Sequence, residues 1–379
     1  MKASLVFSGM RSIVNWCEGS PVKSVRFSRN TPDLIAIGGG DGLLRIGRVP
    51  PSLESPQPVP LLTLKGHRRG IADFQWGPED DMIASIGDDG SFRLWKLDDG
   101  SCLRHWSPPK GKLNAIQLHP KNSNSVLVGG DAGVVHLLNM STGKSAENDV
   151  ICSHPITALQ FDPSGEILFV GDASGTLHIC FYAHMQRDVT LPRASSAPHP
   201  VSPASSSSPS SAASQQQFPW ADFFDPLQVF HKAPPALRIK KLGRVKLSDQ
   251  KISSLSFQSL SSQGNSGTLA VITGDSRLIL LAIPLENPGS ISKYAEFSLP
   301  ATSPIRSVFC RHIPALATGS QDGTICFFGT ALPVEKHPFN ELMGHSGAVL
   351  DVSWNCDESL LASSDDKGTV VVWRRAPRP

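Results

Sequence analysis

The sequence predicts an all-β fold, a seven-bladed propeller closed into a ring and carrying a long disordered insertion. Three observations lead there. Short apolar runs rich in β-branched and aromatic residues recur along the 379 residues, each set closed by a Gly-containing tight turn. The turn glycines Gly42, Gly90, Gly133 and Gly175 are 48, 43 and 42 residues apart, and Gly323 and Gly368 are 45 apart, the period of a four-stranded blade. No segment sustains helical periodicity, which disfavours a helix-rich repeat.

The elements follow in order. Val22–Phe27, Ile71–Trp76, Ile156–Phe161 and Val349–Trp354 alternate along a pleat and read as the first strands of their units. Asp41-Gly42, Asp89-Gly90, Ser174-Gly175 and Asp322-Gly323 supply the positive φ of hairpin turns. Between Gly175 and Gly323 the spacing widens to 148 residues. That interval holds one degenerate unit, with strands at Ile252–Phe257, Thr268–Thr273 and Leu278–Ala282, and a Ser/Pro/Gln-rich insertion over 186–235 in the fourth unit. Pro203–Gln217 is too poor in large apolar side chains to offset its ordering entropy, so the insertion is expected to be disordered. A single propeller over 1–379 is expected, with blades at about 17–185 and 236–379. The last unit stops at Arg375, after its third strand, and Met10–Trp16 is expected to supply the missing outer strand and clasp the termini together.

With 35 Lys and Arg against 33 Asp and Glu, the net charge of +2 lacks the excess a dedicated nucleic-acid binder needs, so no sequence-specific nucleic-acid binding is expected. No apolar run is long enough to span a membrane, and Met1–Asn15 lacks the apolar core of a signal peptide. Seven scattered cysteines, without a Cys-x-x-Cys pair, indicate neither a disulfide framework nor a zinc knuckle and fit a reducing, intracellular setting.

Gly66-His67 precedes Trp95 and Gly344-His345 precedes Trp373, each His 28 residues before its Trp. In this the chain resembles the WD-repeat β-propeller family. The resemblance implies a buried hydrogen-bond chain of His67, Ser85, Asp89 and Trp95, and a second of His345, Ser363 and Trp373. In the second the Asp slot reads Lys367 with Asp366 beside it, which implies a rearrangement. Gly47, Leu138, Cys180 and Phe328 stand in the Trp slot of other units. Gly344–Arg375 is similar to the C-terminal repeat of a nuclear member of the family in animals, as are Gly66–Trp76 and Asn139–Lys144 to earlier parts of it. That similarity implies a chromatin- or transcription-associated scaffold in the nucleus, with the cytoplasm as the alternative.

Other motifs read as structure. Ser141–Ser145 looks like the tail of a phosphate loop, but Leu138 stands where a Gly is needed; Gly38–Gly42 lacks the Lys. His119, His136, His154, His178 and His312 have no partner at ligand spacing, and no Gly-x-Ser-x-Gly elbow exists, so no metal, cofactor or catalytic residue is assigned. Binding is the expected role. Aligning the units on their turn glycines puts Lys23, Arg69, Lys112, Lys251 and Arg306 near the starts of inner strands, with Asp88, Asp131, Asp275 and Asp366 on neighbouring turns. Such a rim suits an acidic or phosphorylated peptide, a solvated rim being the alternative. In the insertion, Trp220, Phe223 and Phe224 lie within Phe218–Leu227, either a docking motif for another protein or a segment folded onto the ring. The partners expected are therefore other proteins, around a monomeric propeller within a complex. Two rivals remain: a substrate receptor of a ubiquitin ligase, whose expected Trp-Asp-x-Arg is absent after Trp95 and Trp373, and a hydrolase.

Overall fold

The computed structural model describes residues 7–17, 19–50, 58–145, 149–150, 152–183, 238–259, 266–299 and 305–375. Among these, 28 strands form seven four-stranded antiparallel sheets. The first sheet is β2 (Val22–Phe27), β3 (Leu34–Gly39), β4 (Leu44–Arg48) and β5 (Val59–Leu64), after the N-terminal β1 (Phe7–Val14). The second is β6 (Ile71–Trp76), β7 (Met82–Gly87), β8 (Phe92–Lys96) and β9 (Cys102–Trp106). The third is β10 (Leu113–Leu118), β11 (Ser125–Gly130), β12 (Val134–Asn139) and β13 (Asp149–Val150). The fourth is β14 (Ile156–Phe161), β15 (Ile167–Asp172), β16 (Thr176–Ala183) and β17 (Arg238–Lys246). The fifth is β18 (Ile252–Ser259), β19 (Ser266–Thr273), β20 (Arg277–Pro284) and β21 (Ser292–Ser298). The sixth is β22 (Ser307–Phe309), β23 (Ala315–Gly319), β24 (Thr324–Gly329) and β25 (Asn340–Met343). The seventh is β26 (Val349–Trp354), β27 (Leu360–Asp365) and β28 (Val370–Arg375), with β1 outermost.

β1 pairs antiparallel with β28, with Val14 opposite Val370 and Met10 opposite Trp373, so it begins three residues before the expected segment and ends two before Trp16. Trp16 lies in the turn beyond it. The six turn glycines all have positive φ, between 69° and 90°, a conformation open to Gly at no steric cost.

A sheet with two apolar faces must bury both, and the core here is a set of seams. Each of seven buried clusters joins one sheet to the next: Ile46, Leu64, Phe74 and Trp95, for example, join the first to the second. The seventh seam brings Leu360, Val370 and Val372 of the last sheet against Val25, Phe27 and Ile37 of the first, with Val14 of β1 among them. The ring is thereby a closed seven-bladed propeller.

In six sheets the pairing of the first and second strands slips by one residue near its start, as between Val22 and Ser24, Ile71 and Asp73, and Val349 and Asp351. A bulge of this kind bends the strand and re-aims the side chain that follows. Ser24, Asp73 and Asp351 consequently occupy equivalent places on three adjacent blades.

In the fourth sheet β16 and β17 pair from Thr176–Lys246 to Ala183–Arg238, although residues 184–237 intervene. The expectations for 186–235, including Trp220, Phe223 and Phe224, lie outside the described residues.

Candidate functional site

The innermost strands enclose a cavity of about 550 Å³, lined from all seven blades. An innermost strand has one free edge, and its backbone groups need partners. Here the next blade supplies them. Val25 N–H donates to Asp351 Oδ2 (3.1 Å) and Phe27 N–H to Ser353 Oγ (3.1 Å). Leu118 N–H donates to Gln75 Oε1 (2.9 Å), Asn114 Nδ2 to Ile156 O (3.1 Å), Thr157 Oγ1 to Ile252 O (2.6 Å) and Gln258 Nε2 to Cys310 O (2.7 Å). The cavity wall is thus a circle of side-chain stitches, each running to a neighbouring blade.

One stitch spans several blades. Arg306, just before β22, reaches Asp73 Oδ1 at 2.8 Å, Asp351 Oδ2 at 3.3 Å and Ser24 Oγ at 3.1 Å through Nη1, and Ala72 O at 3.3 Å through Nη2. It therefore ties the sixth blade to the seventh, first and second. Arg26 Nη2 donates to Asp73 Oδ1 as well, at 2.9 Å. Two guanidinium groups face two buried carboxylates, and Asp73 and Asp351 are 7% and 2% exposed. Burial pushes Asp73 up, but Arg306 and Arg26 outweigh it and hold its carboxyl below the usual range. Asp351 is shifted the other way, because burial outweighs the pull of the same two cations. Arg306, expected among the rim cations, stands at the entry to its inner strand, with its guanidinium directed to these two buried carboxylates.

The other rim residues divide. Each carboxylate is committed. Asp88 takes Lys23 Nζ at 2.6 Å, and Asp131 accepts Lys112 N–H at 3.1 Å and Asn114 Nδ2 at 2.9 Å. Asp275 holds Arg277 through Nε at 2.7 Å, and Asp366 Oδ1 accepts Ala348 N–H at 2.9 Å. Arg69, Lys112 and Lys251 are exposed, and among the described residues none has a carboxylate within ion-pair reach. Of the rim cations expected from the sequence, these three therefore lack an ion-pair partner among the described residues.

The buried hydrogen-bond chains are formed in two blades. In the second, His67 Nδ1–H donates to Asp89 (3.2 Å), Ser85 Oγ–H donates to His67 Nε2 (2.8 Å) and Trp95 Nε1–H donates to Ser85 Oγ (2.8 Å), the tautomer being assigned from this network. Burial pushes the Asp89 carboxyl up, but the N–H groups of Arg68 and Ser91 outweigh it and hold it low. Burial holds His67 below the usual imidazole range. In the last blade Asp365 takes the carboxylate role, not Asp366: His345 Nδ1 lies 2.9 Å from Asp365 Oδ2, Ser363 Oγ 2.6 Å from Nε2, and Trp373 Nε1 2.9 Å from Ser363 Oγ. The acid has moved from the turn to the end of β27, where Lys367 and Thr369 N–H also reach it. In the first blade, a Cβ at Gly47 would collide with the Trp16 ring, so an indole from before β2 covers the empty Trp slot. In the fourth blade, His178, which has no partner at ligand spacing in the sequence, donates from Nε2 to Asp172 Oδ2 at 2.9 Å.

Three segments of this ring match a known repeat. The family model for the WD domain, G-beta repeat, matches residues 58–96, 148–180 and 336–374. Each match starts at or just before the outer strand of one sheet and runs through the first three strands of the next, or nearly so, which offsets the repeat from the blade by one strand. The chain is a β-propeller carrying WD repeats. It is similar to ribosome biogenesis protein ERB1 of Chaetomium globosum, 39% identical over 84 residues, 20% of this chain and 11% of that protein. It is also similar to WD repeat and HMG-box DNA-binding protein 1 of Xenopus laevis, 26% identical over 165 residues, 38% of this chain and 13% of that protein. Nucleoporin Nup37 of Drosophila melanogaster is 24% identical over 158 residues, 41% of this chain and 47% of that protein. The matches span less than half of each of these relatives.

The geometry of the inner circle and of the buried chains sets two expected outcomes. Arg306→Met removes a partner from two buried carboxylates and is expected to lower unfolding stability by about 3 kcal/mol in urea titrations, with part recovered in Arg306→Met/Asp351→Asn. Arg69→Met, at an exposed position, is expected to change it by less than about 0.5 kcal/mol. The second outcome concerns pH. Because the folded state holds His67 below its unfolded value, only the unfolded chain gains this proton on mild acidification, so the stability it contributes is present above that value and lost as pH falls. The denaturation midpoint is expected to drop from about pH 7.5 to about pH 5.5, and to drop less in His67→Asn.

Proposed function

We propose that this propeller is a protein-interaction scaffold whose rim at the inner-strand starts binds an acidic or phosphorylated peptide segment of a partner. One observation carries the reading: Arg69, Lys112 and Lys251 stand exposed without ion-pair partners among the described residues, while Asp88, Asp131, Asp275 and Asp366 of the same rim are committed to internal bonds. Long cationic side chains on a rigid frame are charge-assisted donors to carboxylate or phosphate oxygens. Lys23 is half-neutralised by Asp88 and serves the edge of the surface.

A nuclear, chromatin- or transcription-associated setting is part of the proposal. It is supported by the names of the relatives above and by the similarity of Gly344–Arg375 to the C-terminal repeat of the nuclear WD repeat-containing protein thirteen of animals. The role is binding, not catalysis, and the propeller acts as a monomer within a larger complex.

The test is fluorescence anisotropy with acidic and phosphoserine peptides. The triple variant Arg69→Glu/Lys112→Glu/Lys251→Glu is expected to weaken binding at least about tenfold, and added salt to weaken the wild type. Equal affinity of variant and wild type for every peptide the wild type binds would rule this rim out.

A further inference from the structure

The fourth blade departs from its neighbours in a way the rim does not use. Cys152 stands four residues before β14, as His67 stands four before β6. Asp172 closes β15, as Asp365 closes β27, and His178 lies on β16 facing it. A thiol thus occupies the slot that holds imidazole in the second and last blades, and the imidazole has moved one strand outward. One ligand atom each from Cys152, Asp172 and His178 lie within 4.8 Å of one another, and the three side chains are 5%, 2% and 7% exposed.

A thiol is a weak hydrogen-bond donor and a poor substitute for imidazole beside a buried carboxylate. A thiolate, an imidazole and a carboxylate together are, however, a donor set for zinc. The supporting shell is in place. Asp172 Oδ1 accepts Ser174 N–H (2.9 Å), Ser174 Oγ–H (2.6 Å) and Thr176 N–H (3.0 Å), which fixes the carboxylate and leaves Oδ2 toward His178. Cys180 lies two residues beyond His178, on the same face of β16 and in the same buried cluster as Cys152.

We propose that the fourth blade holds a zinc ion, coordinated by Cys152 Sγ, Asp172 Oδ2 and His178 Nε2. Burial, with the Asp172 carboxylate beside it, pushes the Cys152 thiol up to about 12, so the thiol must lose its proton to solvent as the sulfur–zinc bond forms, and the His178 proton must shift from Nε2 to Nδ1. The ion would join β14, β15 and β16 in the one sheet whose outer strand, β17, returns only after residues 184–237.

The experiment measures metal in the intact chain, expressed with added zinc and separately refolded with Co²⁺. The expected result is about one zinc per chain and, with Co²⁺, intense tetrahedral visible bands with a thiolate charge-transfer band. Cys152→Ser and His178→Gln are expected to lose both, while Cys102→Ser, at an exposed thiol, keeps them. Folded wild-type protein holding less than about a tenth of a zinc per chain, and giving no thiolate–cobalt band, would reduce the cluster to a hydrogen-bonded triad and overturn the proposal. Stoichiometric zinc in folded Cys152→Ser and His178→Gln would place the metal elsewhere and overturn it equally. Should either variant fail to fold, the wild-type cobalt spectrum decides.

Discussion

Seven sheets with two apolar faces each can bury all of them only if the seventh meets the first, and that seam is where the first and last strands come together. A repeat offset from the blade by one strand leaves the last sheet with three strands of its own, β26, β27 and β28. β1 fills the fourth place, and Val14 enters the seam with Val25, Val370 and Val372. An open arc would expose the face carrying Leu360 and Val370, together with the edge of β28. The inner circle depends on the same seam: the bond from Val25 N–H to Asp351, and the reach of Arg306 across the seventh blade to Ser24 and Asp73, both require the first and last blades to be neighbours.

Within that ring, polar groups are buried only where they satisfy one another. The second and last blades use a carboxylate, imidazole, hydroxyl and indole in series, and the wall of the cavity uses amides, hydroxyls and three Arg–Asp pairs. Buried charges of this kind cost much in desolvation and add little net stability; what they supply is registry, because a one-blade slip would leave Asp73 and Asp351 without cations. Arg69, Lys112 and Lys251, in contrast, stand exposed outside this inner circle.

The fold was legible because its signals are local. Val22–Phe27, Ile71–Trp76, Ile156–Phe161 and Val349–Trp354 are strands with those same bounds, since β-branched alternation and a positive-φ glycine act within a few residues of themselves. The candidate site was legible only in part. Arg306 lies near a strand entry in sequence, as Lys23 and Lys112 do, yet its direction is set by Asp73 and Asp351, which are remote in sequence and adjacent only once the ring closes. Arg26 was missed for the same reason; its one signal is that it stands where Gln75, Gln117 and Gln160 stand in the next three blades, a charge in a row of amides. Asp365 was displaced by two residues from the turn slot, and Trp16 covers Gly47 from outside the repeat, so slot-by-slot alignment finds neither. Cys152 lies in the loop before β14 and His178 on β16, and they share no spacing rule.

Hydrogen–deuterium exchange of the intact chain tests ring closure most directly. With β1 seated on β28, the amides of Phe7–Val14 that face it are expected to exchange as slowly as those of β28 itself, and orders of magnitude more slowly than an unstructured peptide. Complete exchange of Phe7–Val14 at the unstructured rate, beside a protected β27, would mean that the ring is not sealed by its first strand.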